Sequence, residues 1–219
     1  MTLTRAEFDQ ACKAYISKYC SAQSFDATPR DDALLRRYPA GWSWTEHPTV
    51  PGLGYLSRLV SIPSHSSHDN GGQPAEPEVE EPEDEAAAAV PHERLVCRQY
   101  VVFSPSFQVP ALYFSLHRGN GTALSLDDIV TSSLLMRSAL PQTARTTFAL
   151  ETTDSPFAML SQGDHPTSNT PCWYLHPCRT AEVVDEIMKE TGYGDADRPL
   201  RWLETWFMVL GNVVDFRVE

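Results

Sequence analysis

Basic residues are scarce in this chain: 17 Lys and Arg stand against 29 Asp and Glu over 219 residues, giving a formal net charge of -12. Nucleic-acid affinity rests on Lys and Arg set against phosphates, so this deficit argues against a polyanionic partner. Long hydrophobic runs are missing too. No stretch approaches the roughly 20 uninterrupted apolar residues that a bilayer span needs. Residues 1–25 mix charges with aromatics where a signal peptide would carry an apolar run, which points to a cytoplasmic protein without a transmembrane segment. Cysteine is sparse: Cys12, Cys20, Cys97, Cys172 and Cys178 are odd in number, and no two stand in C-x2-C spacing. A disulfide scaffold and a zinc site are both disfavoured, and reduced thiols are expected.

What acid there is lies largely in one place. Residues 69–91 carry eight acidic side chains and four prolines but no Lys or Arg. Such a segment buries too little apolar surface to offset its ordering entropy and is expected to be a disordered insertion. Taking its eight charges from -12 leaves -4 for the rest, so the acidity need not describe a functional surface. The expected organisation is a single domain over residues 1–219 with this insertion inside it.

The remaining sequence reads as helix, sheet, loop, helices, an α+β pattern. Thr4 and Glu7 have capping-box spacing, and Phe8, Ala11, Tyr15 and Tyr19 recur at helical spacing. Trp42 and Trp44 alternate with small polar residues, and residues 55–62 form an apolar run, both strand signals. Residues 95–103 and 109–116 predict an antiparallel hairpin, with Pro110 suggesting an exposed edge or a bulge. Ser125 and Asp128 cap a segment carrying Leu126, Ile129, Val130 and Leu134. Residues 142–177 read as irregular, broken by Pro156, Pro166, Pro171 and Pro177. Beyond them, Thr180 caps one helix, and Asp197-Arg198-Pro199 opens another that ends at Gly211.

Among the thiols, Cys178 has the most reactive setting. It stands beside Arg179 and just ahead of a helix start, and both a cation and a helix N-terminus favour thiolate. His176 is two residues away, but Pro177 stiffens the link, so the spacing does not establish a Cys-His dyad. The other four cysteines have structural settings: a helical apolar face for Cys12, a helix end for Cys20, a strand for Cys97 and the position after Pro171 for Cys172.

Tyr174-Leu175-His176-Pro177-Cys178-Arg179-Thr180 resembles the His-Pro-Cys active-site motif of the autophagy conjugating enzymes. Ser104-Pro105-Ser106-Phe107-Gln108-Val109-Pro110-Ala111-Leu112-Tyr113-Phe114 and Ser161-Gln162-Gly163-Asp164-His165-Pro166 resemble the corresponding strand and loop of the autophagy-related protein ten family. The C-terminal run beginning at Trp202 is similar as well. The likeness extends from about Leu95 onward and is only general before it.

That resemblance implies a ubiquitin-conjugating-enzyme-like α+β fold, an antiparallel sheet flanked by helices at both chain ends. It implies that Cys178 accepts the ubiquitin-like autophagy-related protein twelve as a thioester from the activating enzyme, autophagy-related protein seven. Transfer to a lysine of autophagy-related protein five follows, with neither metal nor organic cofactor. Ordinary ubiquitin-conjugating enzymes carry a His-Pro-Asn asparagine upstream of the cysteine; here His176-Pro177 runs directly into Cys178 and that donor is missing. His165, Tyr113 and Asn169 are the candidate replacements, and Asp164 is a candidate for handling the incoming lysine. Alternatives are the sister lipid-conjugating enzyme, a cysteine hydrolase pairing Cys178 with His117 or His165, and a noncatalytic adaptor.

Overall fold

The computed structural model describes residues 2–20, 39–64, 94–140, 143–152, 158–178, 180–191 and 197–217. The acidic segment 69–91, Pro156 and Arg179 lie outside the described residues.

Helix α1 (Arg5–Tyr19) begins with both capping-box bonds in place: the Thr4 hydroxyl accepts from the Glu7 backbone N–H, and the Glu7 carboxylate accepts from the Thr4 backbone N–H. Two N-terminal amides are satisfied without tertiary help. Phe8, Ala11, Cys12 and Tyr15 fall on one face at i, i+3, i+4 and i+7 and are all buried.

Among the described residues, eight strands form one antiparallel sheet: β1 (Ser43–Thr45), β2 (Tyr55–Pro63), β3 (Arg94–Ser104), β4 (Val109–His117), β5 (Thr143–Arg145), β6 (Ala149–Thr152), β7 (Leu160–Asp164) and β8 (Pro171–Leu175). Their spatial order is β1-β2-β3-β4-β8-β7-β6-β5, so β8 is inserted beside β4 and the chain winds back outward to β5. One face carries Leu56, Ile62, Cys97, Val101, Leu112 and Phe114, all buried under α1 and α4 (Arg198–Leu210). The contact is aromatic: Tyr15 meets Phe207 at 4.8 Å between ring centroids, and Trp42 meets Phe207 at 5.6 Å. Two shorter pieces, α2 (Leu126–Thr131) and α3 (Thr180–Thr191), flank the sheet. No helix among the described residues is long and apolar enough to cross a membrane.

A buried cation fastens the segment before β1 and the C-terminal segment to β2. The Arg58 side chain lies between the Trp42 ring at 5.0 Å and the Phe216 ring at 5.7 Å. It donates to the Gln99 side-chain oxygen at 2.9 Å, the Ala40 carbonyl at 2.9 Å and the Phe216 carbonyl at 3.2 Å. Burial lowers its pKa to about 10, which leaves the guanidinium charged at neutral pH.

The caps of α1 and α2, the β3–β4 hairpin and the two C-terminal helices agree with the sequence reading; four expectations need correction. Residues 142–177 are not irregular but hold β5 to β8. Their prolines fall where a strand tolerates them: Pro166 in the β7–β8 connection, Pro171 as the first residue of β8, and Pro177 beyond its last. Pro110 is buried in the central strand β4 rather than exposed: it pairs with Phe103 on β3, while the β8 pairing reaches only Tyr113 and Phe114. Leu134 falls beyond α2, which stops at Thr131. Finally, Thr180 is the first residue of α3 rather than the cap before it.

Candidate active site

The candidate nucleophile sits where the central strand β8 ends. The backbone N–H of His176 donates to the Met159 carbonyl at 3.0 Å, which ties the end of β8 to the start of β7. Pro177 and Cys178 then turn the chain, and the Thr180 N–H reaches back to the Pro177 carbonyl at 3.2 Å as α3 begins. Cys178 is partly exposed, whereas Cys12, Cys97 and Cys172 are buried. Burial pushes the Cys12 and Cys172 thiols up and Cys97 to about 12, and it also raises the partly buried Cys20.

His176 does not hold the thiol. Its Nδ1 accepts the backbone N–H of Cys178 at 3.3 Å, and its ring meets Phe107, from the β3–β4 turn, edge-on at 5.2 Å. Beside it opens a cleft of about 220 Å³ with Cys178 and His176 at one side and Met159, Leu175, Val183, Val209, Leu210 and Val213 forming apolar walls. Cys178 therefore borders a largely apolar surface.

Tyr113 and His165 belong to an aromatic row on the sheet face opposite α1. Tyr113 pairs in register with Tyr100 on β3 and Tyr174 on β8, so the three project from the same face. The Tyr113 and Tyr174 rings stack at 5.4 Å, and Tyr174 continues to His176 at 6.4 Å. Gly163 makes room for this: a Cβ there would come within 3.1 Å of the Tyr174 ring. Burial raises the Tyr113 phenol above its usual pKa, so it remains a protonated donor at neutral pH.

His165 occupies the other end of the row and is fully buried. Its Nδ1 accepts the backbone N–H groups of Thr167 and Ser168 at 3.1 and 3.2 Å, closing the β7–β8 connection. The ring faces Tyr100 at 4.6 Å, Tyr55 at 4.8 Å and Tyr113 at 5.9 Å, and buried Nε2 has no hydrogen-bond partner among the described residues. Desolvation lowers its pKa to about 4. This setting suits a neutral ring that shapes the loop. The ring is buried and its Nδ1 is engaged by the Thr167 and Ser168 N–H groups, so the geometry shows a loop-holding contact for His165. Asn169 takes a left-handed conformation, φ 51°, and its N–H donates to the His165 carbonyl at 2.9 Å.

Sequence reading missed the row itself. Its members come from four strands and two connections, and only the strand register brings them together. Among the described residues, no group of three or more His, Cys, Asp or Glu is arranged to hold a metal ion.

An antiparallel sheet flanked by helices, with a partly exposed cysteine in the turn leaving its central strand, defines an α+β fold of the ubiquitin-conjugating-enzyme class. The family described as autophagocytosis associated protein, active-site domain, matches residues 7–218, and the chain belongs to that family. It is similar to proteins named ubiquitin-like-conjugating enzyme ATG10. The Homo sapiens relative is 26% identical over 187 residues, covering 80% of this chain and 79% of its own length. The Arabidopsis thaliana relative is 29% identical over 120 residues, 54% of this chain and 48% of its own length. The Dictyostelium discoideum relative is 26% identical over 125 residues, 54% of this chain. The chain thus spans about half the length of the Arabidopsis and Dictyostelium relatives and about four fifths of the human one.

Proposed function

We propose that this chain is a conjugating transferase of autophagy that carries a ubiquitin-like protein as a thioester on Cys178. The thiolate attacks the thioester carbonyl of the charged activating enzyme, a new C–S bond forms, and the activating enzyme's thiol leaves. A substrate lysine amine then attacks the Cys178 thioester; an amide forms, the amine proton is lost to solvent, and the Cys178 thiolate departs. The observation that supports this most is the placement of Cys178, partly exposed in the turn after β8, beside an apolar cleft. The resemblance of the motifs to the autophagy-related protein ten family supplies the finer assignment: autophagy-related protein twelve as modifier, seven as activating enzyme and five as acceptor, all meeting the chain in the cytoplasm.

Charge builds on the thioester oxygen during each attack, and a donor must meet it. We assign that role to Tyr113, whose phenol stays protonated and whose ring stacks on Tyr174, four residues ahead of Cys178. His165 is assigned to holding the 165–170 loop over the tyrosines. Tyr113→Phe is expected to accept modifier yet discharge it to lysine about 100-fold more slowly, the cost of one oxyanion donor. Single-turnover discharge at wild-type rate removes Tyr113 from the role.

The function itself is tested by incubating the chain with activating enzyme, modifier and ATP and resolving the products with and without reductant. A reductant-sensitive adduct of one modifier per chain is expected. No adduct from an activating enzyme shown to be charged overturns the assignment and leaves the adaptor reading; transfer to phosphatidylethanolamine vesicles instead of protein lysine would select the lipid-conjugating alternative.

A further inference from the structure

Three His-Pro pairs occur in the described residues, at His47-Pro48, His165-Pro166 and His176-Pro177, and all three make the same bond. His47 Nδ1 accepts the backbone N–H groups of Thr49 and Val50 at 3.1 and 3.0 Å. His165 Nδ1 accepts those of Thr167 and Ser168. His176 Nδ1 accepts that of Cys178. The physical reason is shared. Proline has no N–H, so the first backbone donor after the histidine is two residues on, and the short imidazole arm reaches it, as an Asn or Asp side chain does in an Asx turn. His47 and His165 do this with Thr49 and Thr167 standing where His176 has Cys178, so the bond is a property of the turn and needs no thiol.

We propose that His176 is a positioning residue, a neutral imidazole with its proton on Nε2 that clamps the backbone of Cys178 and so fixes the direction of the sulfur, and that it is not the base that ionises the thiol. Nδ1 already receives an N–H and cannot take the sulfur's proton without releasing the turn. The ring is held from outside by Phe107, and the residue's own N–H is held by Met159, so the clamp is anchored at both ends. Desolvation lowers the pKa of His176, which keeps it neutral at neutral pH. The Tyr174 ring lies 6.4 Å from it, and the described residues lining the adjacent cleft include no carboxylate, Lys or Arg. This inference rests on Cys178 being the carrier thiol.

The discriminating variants are His176→Asn, whose side-chain oxygen can accept the same N–H but cannot titrate, and His176→Ala, which has no acceptor. Positioning predicts that charging falls about 10-fold in His176→Ala and returns to within about 3-fold of wild type in His176→Asn. The pH profile of Cys178 alkylation by iodoacetamide is expected to keep the same apparent thiol pKa in wild type and His176→Asn. A base role predicts the opposite: both variants equally slow and both with a raised thiol pKa, which would overturn the proposal. A measurement on the wild type alone stands beside these, the long-range 1H–15N spectrum of the His176 ring. The Nε2–H tautomer is expected at neutral pH, and an Nδ1–H tautomer would sink the clamp however the variants fold. Because alkylation and the tautomer need no modifier, they remain informative if charging itself fails, which separates loss of this inference from loss of the carrier function.

Discussion

Replacing Cys178 with alanine should abolish the reductant-sensitive adduct outright, and replacing it with serine should leave an adduct that reductant no longer removes. The sulfur is the bond-forming atom in the proposed cycle, so no neighbouring group can restore it. In Cys178→Ser an oxyester on the introduced hydroxyl would form slowly, because an unactivated hydroxyl is a far weaker nucleophile than a thiolate, and it would resist both thiol exchange and lysine attack. The remaining cysteines serve as internal controls. Cys12 and Cys97 are fully buried, Cys172 nearly so, and burial raises all three thiols and that of Cys20, so at neutral pH they stay protonated. Cys172→Ala should therefore charge like wild type. Intact mass and non-reducing gels read the result directly, and a full-strength adduct on Cys178→Ala would place the carrier thiol elsewhere.

What could be read in advance was local. The caps of α1 and α2 are satisfied by side chains three residues apart, and both capping boxes form as spaced. The β3–β4 hairpin follows from two apolar, β-branched runs around a short turn. The cysteine stood out for the same reason: its motif lies within seven consecutive residues. Strands β5 to β8 were missed because they are three to five residues long, carry polar side chains such as Gln162 and Glu151, and are bounded by prolines. Only pairing with sequence-distant partners makes them strands, and pairing is invisible to a periodicity reading.

The same limit applies to the site. Tyr100, Tyr113 and Tyr174 lie far apart in sequence, and their alignment on one face depends on a register that a one-residue slip would reverse. The His-Pro turns were legible as dipeptides, but their shared function was not, since the accepting bond is set by side-chain geometry. Arg58 is a parallel case. Its charge suggests an exposed strand position, yet two aromatic rings and three oxygen acceptors close around it. Tertiary context overrode residue type at the places where polar groups are buried.

His165 should make the fold acid-labile in a defined window. Its pKa is lowered to about 4 in the folded chain, against about 6.5 when unfolded, because a fully buried ring among three tyrosines cannot be charged cheaply. As pH falls, the unfolded chain takes up this proton first, so the folded state loses relative stability between the unfolded and folded values and is fully favoured above the higher one. The loss attributable to this one group is about 2.5 kcal/mol by about pH 4.5 and levels off near ~3.4 kcal/mol at roughly pH 3. Protonation also puts a hydrogen on Nδ1, where two backbone N–H groups are already received, so the 165–170 loop should release first. His165→Asn keeps an acceptor for that turn and cannot titrate, which makes it the reference for all other acid-sensitive groups. Urea unfolding of both proteins at about pH 7.5 and about pH 4.5 should show wild type losing more stability than the variant by that margin. Equal losses would mean that the ring is solvated or protonated in the folded loop, and would reopen a direct chemical role for His165 beside Tyr113.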